Sequence, residues 1–525
     1  MLPSFADAVF KRTYAITPDE TWPQAAARVA KAVADDPAQE TMFAALIRER
    51  VFIPGGRYLY SAGRPLMQVS NCFGFLAEDS REGWADLMRS ALMCLSTGGG
   101  IGVNYSKVRP KGTPIARMGG SSSGPLALMQ MVNEVGRHVM SGGSRRSALW
   151  AGLHWKHPDI DAFIALKDWN ADVRAMKAKS FDYPAPLDMT NVSVIVDQEY
   201  LDGLSSGNVR IAELHQRICA AASRTGEPAF RNDVLITADD PGAVTGNPCQ
   251  ESVLHDNDVC NLGSIVLPRI LDTSHLEFAV RAAVQFLYNG SLRSYYPTEK
   301  IAATATRNRR IGLGIMGLHE FMLTRGGKYE WSSELGKFLG VWKDVAEDES
   351  KKYAARKGGA VPVTTRAIAP TGTISIMAGT TSGIEPIYCV AYKRRYQQNG
   401  NHLFQYVVDP TAKRLLDRGF AAKDIEDAFS LSHDVPRRLT VQANVQRYTD
   451  QAISSTVNLP AGFASSSFAS TVADFLPRLK GVAFYPDGGR PNQPIVPVAI
   501  EEALGQEGVV YEENLERCLN GVCGL

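Results

Sequence analysis

A thiol, a carboxylate and an amide stand within five residues of one another in the stretch Asn247-Pro248-Cys249-Gln250-Glu251. A second thiol, Cys260, follows eleven positions after Cys249, at the head of an apolar run. The Pro-containing turn can present Cys249, a hydrogen-bonding amide and a base to one small substrate. The alternative for Cys249 alone is a small core residue beside a surface acid, since free Cys often packs as a hydrophobe. Three further features favour the chemical reading: a distant partner thiol at Cys72, a dithiol near the C-terminus at Cys518 and Cys523, and a series of ordered motifs.

Other motifs admit two readings each. Gly98-Gly99-Gly100-Ile101-Gly102 could bring backbone amides close to a phosphate or sugar, because glycine has no Cβ to clash. Pro370-Thr371-Gly372-Thr373-Ile374-Ser375 offers hydroxyls and amides at a strand-to-helix turn, which suits a phosphate cradle or a plain N-cap. Gly312-Leu313-Gly314-Ile315-Met316-Gly317 matches the dinucleotide fingerprint. However, Arg307, Arg309 and Arg310 precede it and no acidic strand end follows, so close packing accounts for it better. Tyr295-Tyr296 precedes Pro297 and reads as a turn with one buried ring. No pair of CxxC motifs exists, so no structural zinc is expected; Cys94, Cys219 and Cys389 read as core.

These residues need a large scaffold. The chain has 525 residues, 45% hydrophobic and 21% charged, which is ordinary for a globular protein with a sizeable core. With 56 basic and 55 acidic residues the net charge is +1, which argues against nucleic acid or an anionic membrane as main partner. No apolar run approaches the roughly 18 residues that span a bilayer. The first residues carry early acids and no apolar h-region, so a secretory signal is not expected. The expected compartment is the cytoplasm (the host's, if the chain is viral), where thiols stay reduced unless used in catalysis.

Residues 1–50 read as a helical N-terminal region ended by Pro54-Gly55-Gly56. Beyond it, strand-like runs at Asn71–Leu76, Ile101–Tyr105, Val192–Val196 and Ser264–Leu267 alternate with helical stretches such as Gly124–Met140 and Asp159–Lys167. This alternation predicts α/β architecture with parallel strands over 51–500. Ser465–Ser470 reads as a surface turn, and 501–525 as a flexible tail.

The sequence resembles the catalytic subunit of ribonucleotide reductases from about residue 50 to the end. The matching segments, in the family's order, begin with Phe52-Ile53-Pro54-Gly55-Gly56-Arg57, Asn71-Cys72-Phe73, Gly98–Gly112 and Ser123-Gly124-Pro125. Gly142-Gly143-Ser144-Arg145-Arg146, the Asn247–Glu251 loop and Cys260-Asn261-Leu262-Gly263-Ser264 follow. Arg309–Gly314, Pro370–Ser375, Gly383-Ile384-Glu385-Pro386 and the closing Cys518-x4-Cys523 complete the series.

The resemblance implies a ten-stranded α/β barrel of two parallel five-stranded halves, with a finger loop through its centre. It implies reduction of a ribonucleoside di- or triphosphate to the 2′-deoxy product. Cys249 would carry the thiyl radical that abstracts the 3′ hydrogen, Glu251 would act as base on the 3′ hydroxyl, and Asn247 would hold the substrate hydroxyls. Cys72 and Cys260, 188 residues apart, would deliver the reducing electrons and end as a disulfide. Cys518 and Cys523 would re-reduce that disulfide by exchange and would themselves be served by a thioredoxin-like reductant. Asn71, Gly99, Gly100 and the turn Pro370, Thr371, Gly372, Thr373, Ile374 and Ser375 would bind substrate.

The radical source follows from a further comparison of motifs. Where the subunit-dependent class carries adjacent tyrosines, this chain reads Phe484-Tyr485-Pro486-Asp487-Gly488, with a single Tyr. That segment and the Asn-Pro-Cys-x-Glu loop resemble the adenosylcobalamin-dependent class, which implies adenosylcobalamin as cofactor. The alternatives are a radical supplied by a separate metal-bearing subunit, or a non-catalytic nucleotide-binding paralogue. A deoxynucleotide or ATP specificity effector would meet Ser144, Arg145 and Arg146, and also Asn133, where the family usually has Asp. The family's N-terminal ATP-binding cone is not expected, and with it no general inhibition by dATP. Apolar surface on Gly124–Met140 would serve a homodimer or the core.

Overall fold

The computed structural model describes residues 2–512 apart from 117–118, 141–146, 181–182, 399–400, 461, 488–494 and 507–508. Ser144, Arg145, Arg146, Cys518 and Cys523 therefore lie outside the described residues.

Local sequence signals set the elements. The N-terminal helices Ser4–Thr13, Trp22–Val33 and Pro37–Arg48 occupy the stretch expected to be helical. Asp36 caps the third by accepting from the Gln39 amide. Asp197, Asn208 and Asp272 cap the helices Gln198–Ser205, Val209–Thr225 and Thr273–Arg293 in the same way. Gly226 ends the second of these in the left-handed conformation, at φ 80°.

The strands in chain order are β1 (Phe52–Pro54), β2 (Cys72–Leu76), β3 (Gly100–Asn104), β4 (Leu149–His154), β5 (Thr190–Val196) and β6 (Ala229–Asn232). Then come β7 (Thr245–Gly246), β8 (Val253–Leu254), β9 (Asp258–Val266) and β10 (Ile311–Met316). A hairpin of β11 (Ala391–Gln398) and β12 (Asn401–Val408) precedes β13 (Thr456–Leu459), β14 (Gly481–Pro486), β15 (Ile495–Pro497) and β16 (Val510–Glu512).

The large mixed sheet runs β1-β9-β2-β3-β4-β5-β6-β14-β13, with β10 also on β9. β2 to β6 form one parallel half. In the other half β9 is parallel to β10 and β13 to β14. The halves meet at two antiparallel seams, β2 against β9 and β6 against β14. Between β10 and β13 the backbone of 364–368 accepts from Ile311 and Leu313 on one side, and Ile368 exchanges bonds with Ala452 and Ser454 on the other. The expected α/β class thus holds as a large mixed sheet with helices between its parallel strands.

Two main cores pack on this sheet. One joins the N-terminal helices to β9 and β10 through Trp22, Phe43, Phe52, Phe286 and Trp342. The other covers β2 to β6 through Phe73, Val103, Leu128, Val194 and Ile218. A small third cluster, Cys72, Leu254, Cys260, Leu262 and Ala367, lies apart from both. All nine residues of β9 are buried, as a strand covered on both faces requires.

Two sequence expectations need correction. Ser465–Ser470 is not a surface turn but the start of the helix Ser465–Phe475, which buries Phe468 and Ala469 against the second core. Regular structure also continues past 501. The helix Ile500–Ala503 is followed by β16, which pairs with β12 in a separate antiparallel sheet of order β15-β11-β12-β16.

Candidate functional site

The short ribbon β7/β8 pairs Thr245 with Leu254 and Gly246 with Val253, which leaves 247–252 as a loop with Cys249 near its tip. The inner surface of the sheet accommodates this loop only because it is lined with glycine. A Cβ on Gly102 would come 2.0 Å from the Gly246 carbonyl oxygen, and one on Gly74 would come 2.6 Å from Thr245. A Cβ on Gly100 would come 2.9 Å from Pro248.

The loop is tied down on three sides. Asn191 of β5 donates to the Pro248 carbonyl at 3.0 Å. The Ala452 amide donates to the Glu251 carbonyl at 2.9 Å. Within the loop, the Asn247 carboxamide oxygen accepts from the Ser252 amide at 2.9 Å, and Gln250 takes a left-handed φ of 66° to close the turn.

Beneath the loop, Cys72 of β2 and Cys260 of β9 are direct register partners across the first antiparallel seam. Opposed residues of this kind have Cα atoms roughly 4.5–5.5 Å apart and side chains on one face. That spacing falls inside the roughly 4.4–6.8 Å window of a disulfide. The Asn247 amide nitrogen reaches down to the Cys72 sulfur at 2.9 Å, so the loop and the dithiol form one unit.

Electrostatics divide the labour among these groups. Burial is the main cause pushing the Cys249 thiol up, and the Glu251 charge adds to it. Burial likewise pushes Cys72 well above the usual thiol range, and it raises Cys260 to about 12. All three therefore stay protonated at neutral pH. They suit hydrogen-atom or proton donation rather than thiolate attack on a substrate. Glu251 is buried, one of its carboxylate oxygens has no partner, and burial raises it to about 7. A carboxyl poised there can take or give a proton near neutrality. Protein surrounds the Cys249 sulfur closely, yet Cys249 alone of this group keeps surface that solvent can reach.

Other expected residues gather around this core to different degrees. Asn71 bridges the seam: its amide donates to the Cys260 carbonyl at 3.0 Å, and its buried side-chain oxygen has no partner. Ala369 packs on the thiol cluster, so the turn 370–375 begins beside the dithiol. Thr371 there is left-handed at φ 54° and accepts from the Gly383 amide at 2.8 Å, and a Cβ on Gly372 would meet nothing within 4 Å. By contrast, the amides of Gly99 and Gly100 are spent on the Cys94 and Asn71 carbonyls, and their α-carbons pack on Phe73 and Pro248. Asn133 is wholly buried: its oxygen accepts from Met189 and Thr190, and its nitrogen faces Glu134 and Asp188. The structure does not present it to a ligand.

Sequence reading missed the group behind Cys260. Arg310, wholly buried, donates to Asp258 at 2.8 Å, to Asp240 at 2.7 Å and to Thr364 at 2.7 Å. Asp240 also meets His255 at 2.8 Å; burial acts to raise its carboxyl, but the His255 hydrogen bond and the Arg310 charge hold it down to about 2. The Gln451 amide lies 3.9 Å from the Cys260 sulfur. The only sequence signal was the Arg309-Arg310 doublet before a strand; Gln451 gave none. The glycines of the fingerprint-like segment do pack closely: Cβ atoms on Gly312 and Gly314 would crowd Leu262, Cys260 and Ala367. Among the described residues, no cluster of ligating side chains could hold a metal ion, and no helix is long and apolar enough to cross a membrane.

The family described as "Ribonucleotide reductase, barrel domain" matches residues 70–186, 192–339 and 341–476. The chain is 31% identical over 530 residues to a vitamin B12-dependent ribonucleoside-diphosphate reductase of Mycobacterium tuberculosis, covering 88% of this chain and 74% of that protein. It is 26% identical over 527 residues to the vitamin B12-dependent ribonucleoside-diphosphate reductase of Thermoplasma acidophilum, covering 88% of this chain and 67% of that one.

Proposed function

The chain belongs to the ribonucleotide reductase family, and from that membership we propose that it reduces ribonucleotides to 2′-deoxyribonucleotides with adenosylcobalamin as radical source. The observation that carries the reading is the register pairing of Cys72 with Cys260 directly under the Asn247–Glu251 loop. When bound, the cofactor supplies a radical by homolysis of its cobalt–carbon bond. The residues fit such a source: Cys249 is the thiol open to the interior space, while Cys72 and Cys260 are buried beneath the loop. Phe484 of β14 is buried edge-on against Phe468 at 4.5 Å and has no hydroxyl with which to carry a proton-coupled relay.

In this reading Cys249 takes the 3′ hydrogen and Glu251 takes the 3′ hydroxyl proton, so the departing 2′ hydroxyl leaves from an activated ring. Cys72 and Cys260 supply the proton and two electrons, and the dithiol of Cys518 and Cys523 restores them with a thioredoxin-like reductant upstream. Asn247 and Asn71 hold the hydroxyls, and the open turn at 370–375 receives the phosphates. Backbone bonds through 364–368 support closure of the two halves into a ten-stranded barrel. The two relatives named as diphosphate reductases favour a diphosphate as substrate, against a 26% identical Mycobacterium phage D29 relative named as a putative triphosphate reductase. A specificity effector at 144–146, a homodimer through the Gly124–His138 helix and a cytoplasmic location complete the proposal.

The test is incubation of the chain with a ribonucleoside diphosphate or triphosphate and dithiothreitol, with and without adenosylcobalamin. Cobalamin-dependent deoxynucleotide is the expected product. A product that forms equally well without the cofactor overturns the radical source, and no product with either substrate overturns the function.

A further inference from the structure

The two sulfurs of the dithiol sit in different surroundings, although they face each other across one seam. We propose that the disulfide formed by Cys72 and Cys260 is opened at the Cys72 sulfur, with Cys260 departing as the thiolate. This rests on the reading that the pair ends a turnover oxidised.

Access separates the two. Displacement at sulfur is in line, so the incoming sulfur must approach along the extension of the S–S bond, from the far side of the atom attacked. Behind Cys260 that path is filled. Leu262 and Ala367 pack beside it, the backbone of Gly312 lies so close that a Cβ there would be 3.0 Å from the sulfur, and Gln451 covers it at 3.9 Å. Cys260 has no exposed surface, whereas Cys72 keeps 5%. The loop 247–252 lies over both sulfurs, with Asn247 on Cys72 and Ser252 on Cys260, and its Cys249 is the part of the site that solvent can reach.

The leaving group separates them as well. Exchange runs faster when the departing sulfur is the better-stabilised thiolate. Cys260 lies two residues beyond Asp258 and next to the register partner of Ile311, so the buried Arg310 guanidinium stands beside it. Arg310 shares its charge with Asp258 and Asp240, and His255 faces Asp240 from the other side. Even so, against burial the Ser252 hydroxyl and then the Arg310 charge pull the Cys260 thiol down, the Gln451 amide adds to them, and Glu251 opposes them. Glu251 pushes both thiols up; at Cys72 the Cys249 thiol adds to it, and only the Asn247 amide offsets part of this.

The step balances without an outside oxidant. A thiolate from Cys518 or Cys523 forms a bond to the Cys72 sulfur, the Cys72–Cys260 bond breaks, and its electron pair stays on Cys260, which then takes a proton. The second tail thiolate attacks the tail sulfur of the mixed disulfide. It forms the Cys518–Cys523 disulfide and returns Cys72 as a thiol after protonation.

The full chain with Cys518→Ser, and separately with Cys523→Ser, keeps one tail thiol and cannot resolve the mixed disulfide. After one turnover with adenosylcobalamin and no added reductant, the sample is acid-quenched, alkylated with iodoacetamide and mapped by mass spectrometry. The expected adduct links the tail to Cys72 with Cys260 alkylated, at least tenfold over the converse. An adduct mainly on Cys260, or an even mixture, overturns the proposal. If neither variant holds an adduct, reduced glutathione is added to the oxidised chain and its attachment site is mapped with the same two outcomes. Absence of any Cys72–Cys260 disulfide after turnover is a different result: it overturns the functional reading itself.

Discussion

The two parallel halves of the large sheet meet twice, and the two seams share a geometry but not a chemistry. At β2/β9, Cys72 faces Cys260. At β6/β14, Phe230 faces Val482 and Arg231 faces Gly481. The second seam is fastened by two side-chain amides and an ion pair: Asn232 donates to the Leu476 carbonyl at 2.9 Å, Gln442 donates to the Gly481 carbonyl at 3.0 Å, and Lys480 pairs with Asp239. The loop 247–252 spans both, since a Cβ on Gly246 would crowd Arg231 and one on Gly481 would touch Gln250. An antiparallel seam thus supplies only proximity. The site arises where the paired residues can change oxidation state and the loop above them can move a proton.

The sharpest way to break the contrast is to exchange what the seams carry. Cys72→Ser or Cys260→Ser should lower multiple-turnover kcat by about a thousandfold or more, because a lone thiol cannot supply two electrons. Val482→Ala at the other seam should leave kcat within about twofold and cost about 2 kcal/mol in denaturant unfolding. Comparable kcat losses at both seams would remove the distinction. Next in size is Gly102→Ala. Its added methyl would meet the Gly246 carbonyl, backbone against backbone, so the loop must shift. A displacement of about 1 Å from reactive geometry costs roughly a hundredfold in kcat, measurable against an unchanged unfolding midpoint of the outer helices.

Much of the first half was legible because it is regular. β2, β3 and β5 fall within about two residues of the runs read from apolar and β-branched pattern, and the thiols were found from residue type and motif order. The second half was less so, for a physical reason. Its stretch 364–368 bonds to both sides without forming a regular strand, and Thr371 takes a conformation that non-glycine residues rarely adopt. Pattern reading sees period, and these segments have none. Ser465–Phe475 misled because its Ser-rich start looks like a loop, while Phe468 and Val472, four apart, are the face it buries. The Arg310 group was invisible because a buried ion network needs residues 240, 258, 310 and 364 together, which only the fold provides.

The protonation behaviour of the loop sharpens the contrast more gently. Burial raises Glu251 from 4.5 to about 7, so as a base it is competent only above that value. kcat should climb about tenfold per pH unit below pH 7 and level off above it, and Glu251→Gln should abolish the rising limb along with most of the rate. Stability runs the opposite way. Between pH 4.5 and 7 the unfolded carboxyl is ionised while the folded one keeps its proton, so stability falls as pH rises through that window. The fall should approach about 3 kcal/mol at its upper end. Glu251→Gln should flatten it, read as urea midpoints at pH 4.5 and pH 7.

The smallest expected effect lies on the tether between the loop and β5. Asn191 donates one hydrogen bond to the Pro248 carbonyl, at the edge of the turn that carries Cys249. A single neutral hydrogen bond contributes about 1 kcal/mol, so Asn191→Ala should cost about that much in unfolding. The loop keeps its other ties, the Ala452 amide on Glu251 and the Asn247 carboxamide on Ser252, so kcat should fall only about three- to fivefold. A loss as large as that of Gly102→Ala would mean that the tip is held from β5 alone. No loss would mean that the two inner ties suffice, and the loop would then belong mechanically to the first seam rather than to the sheet as a whole.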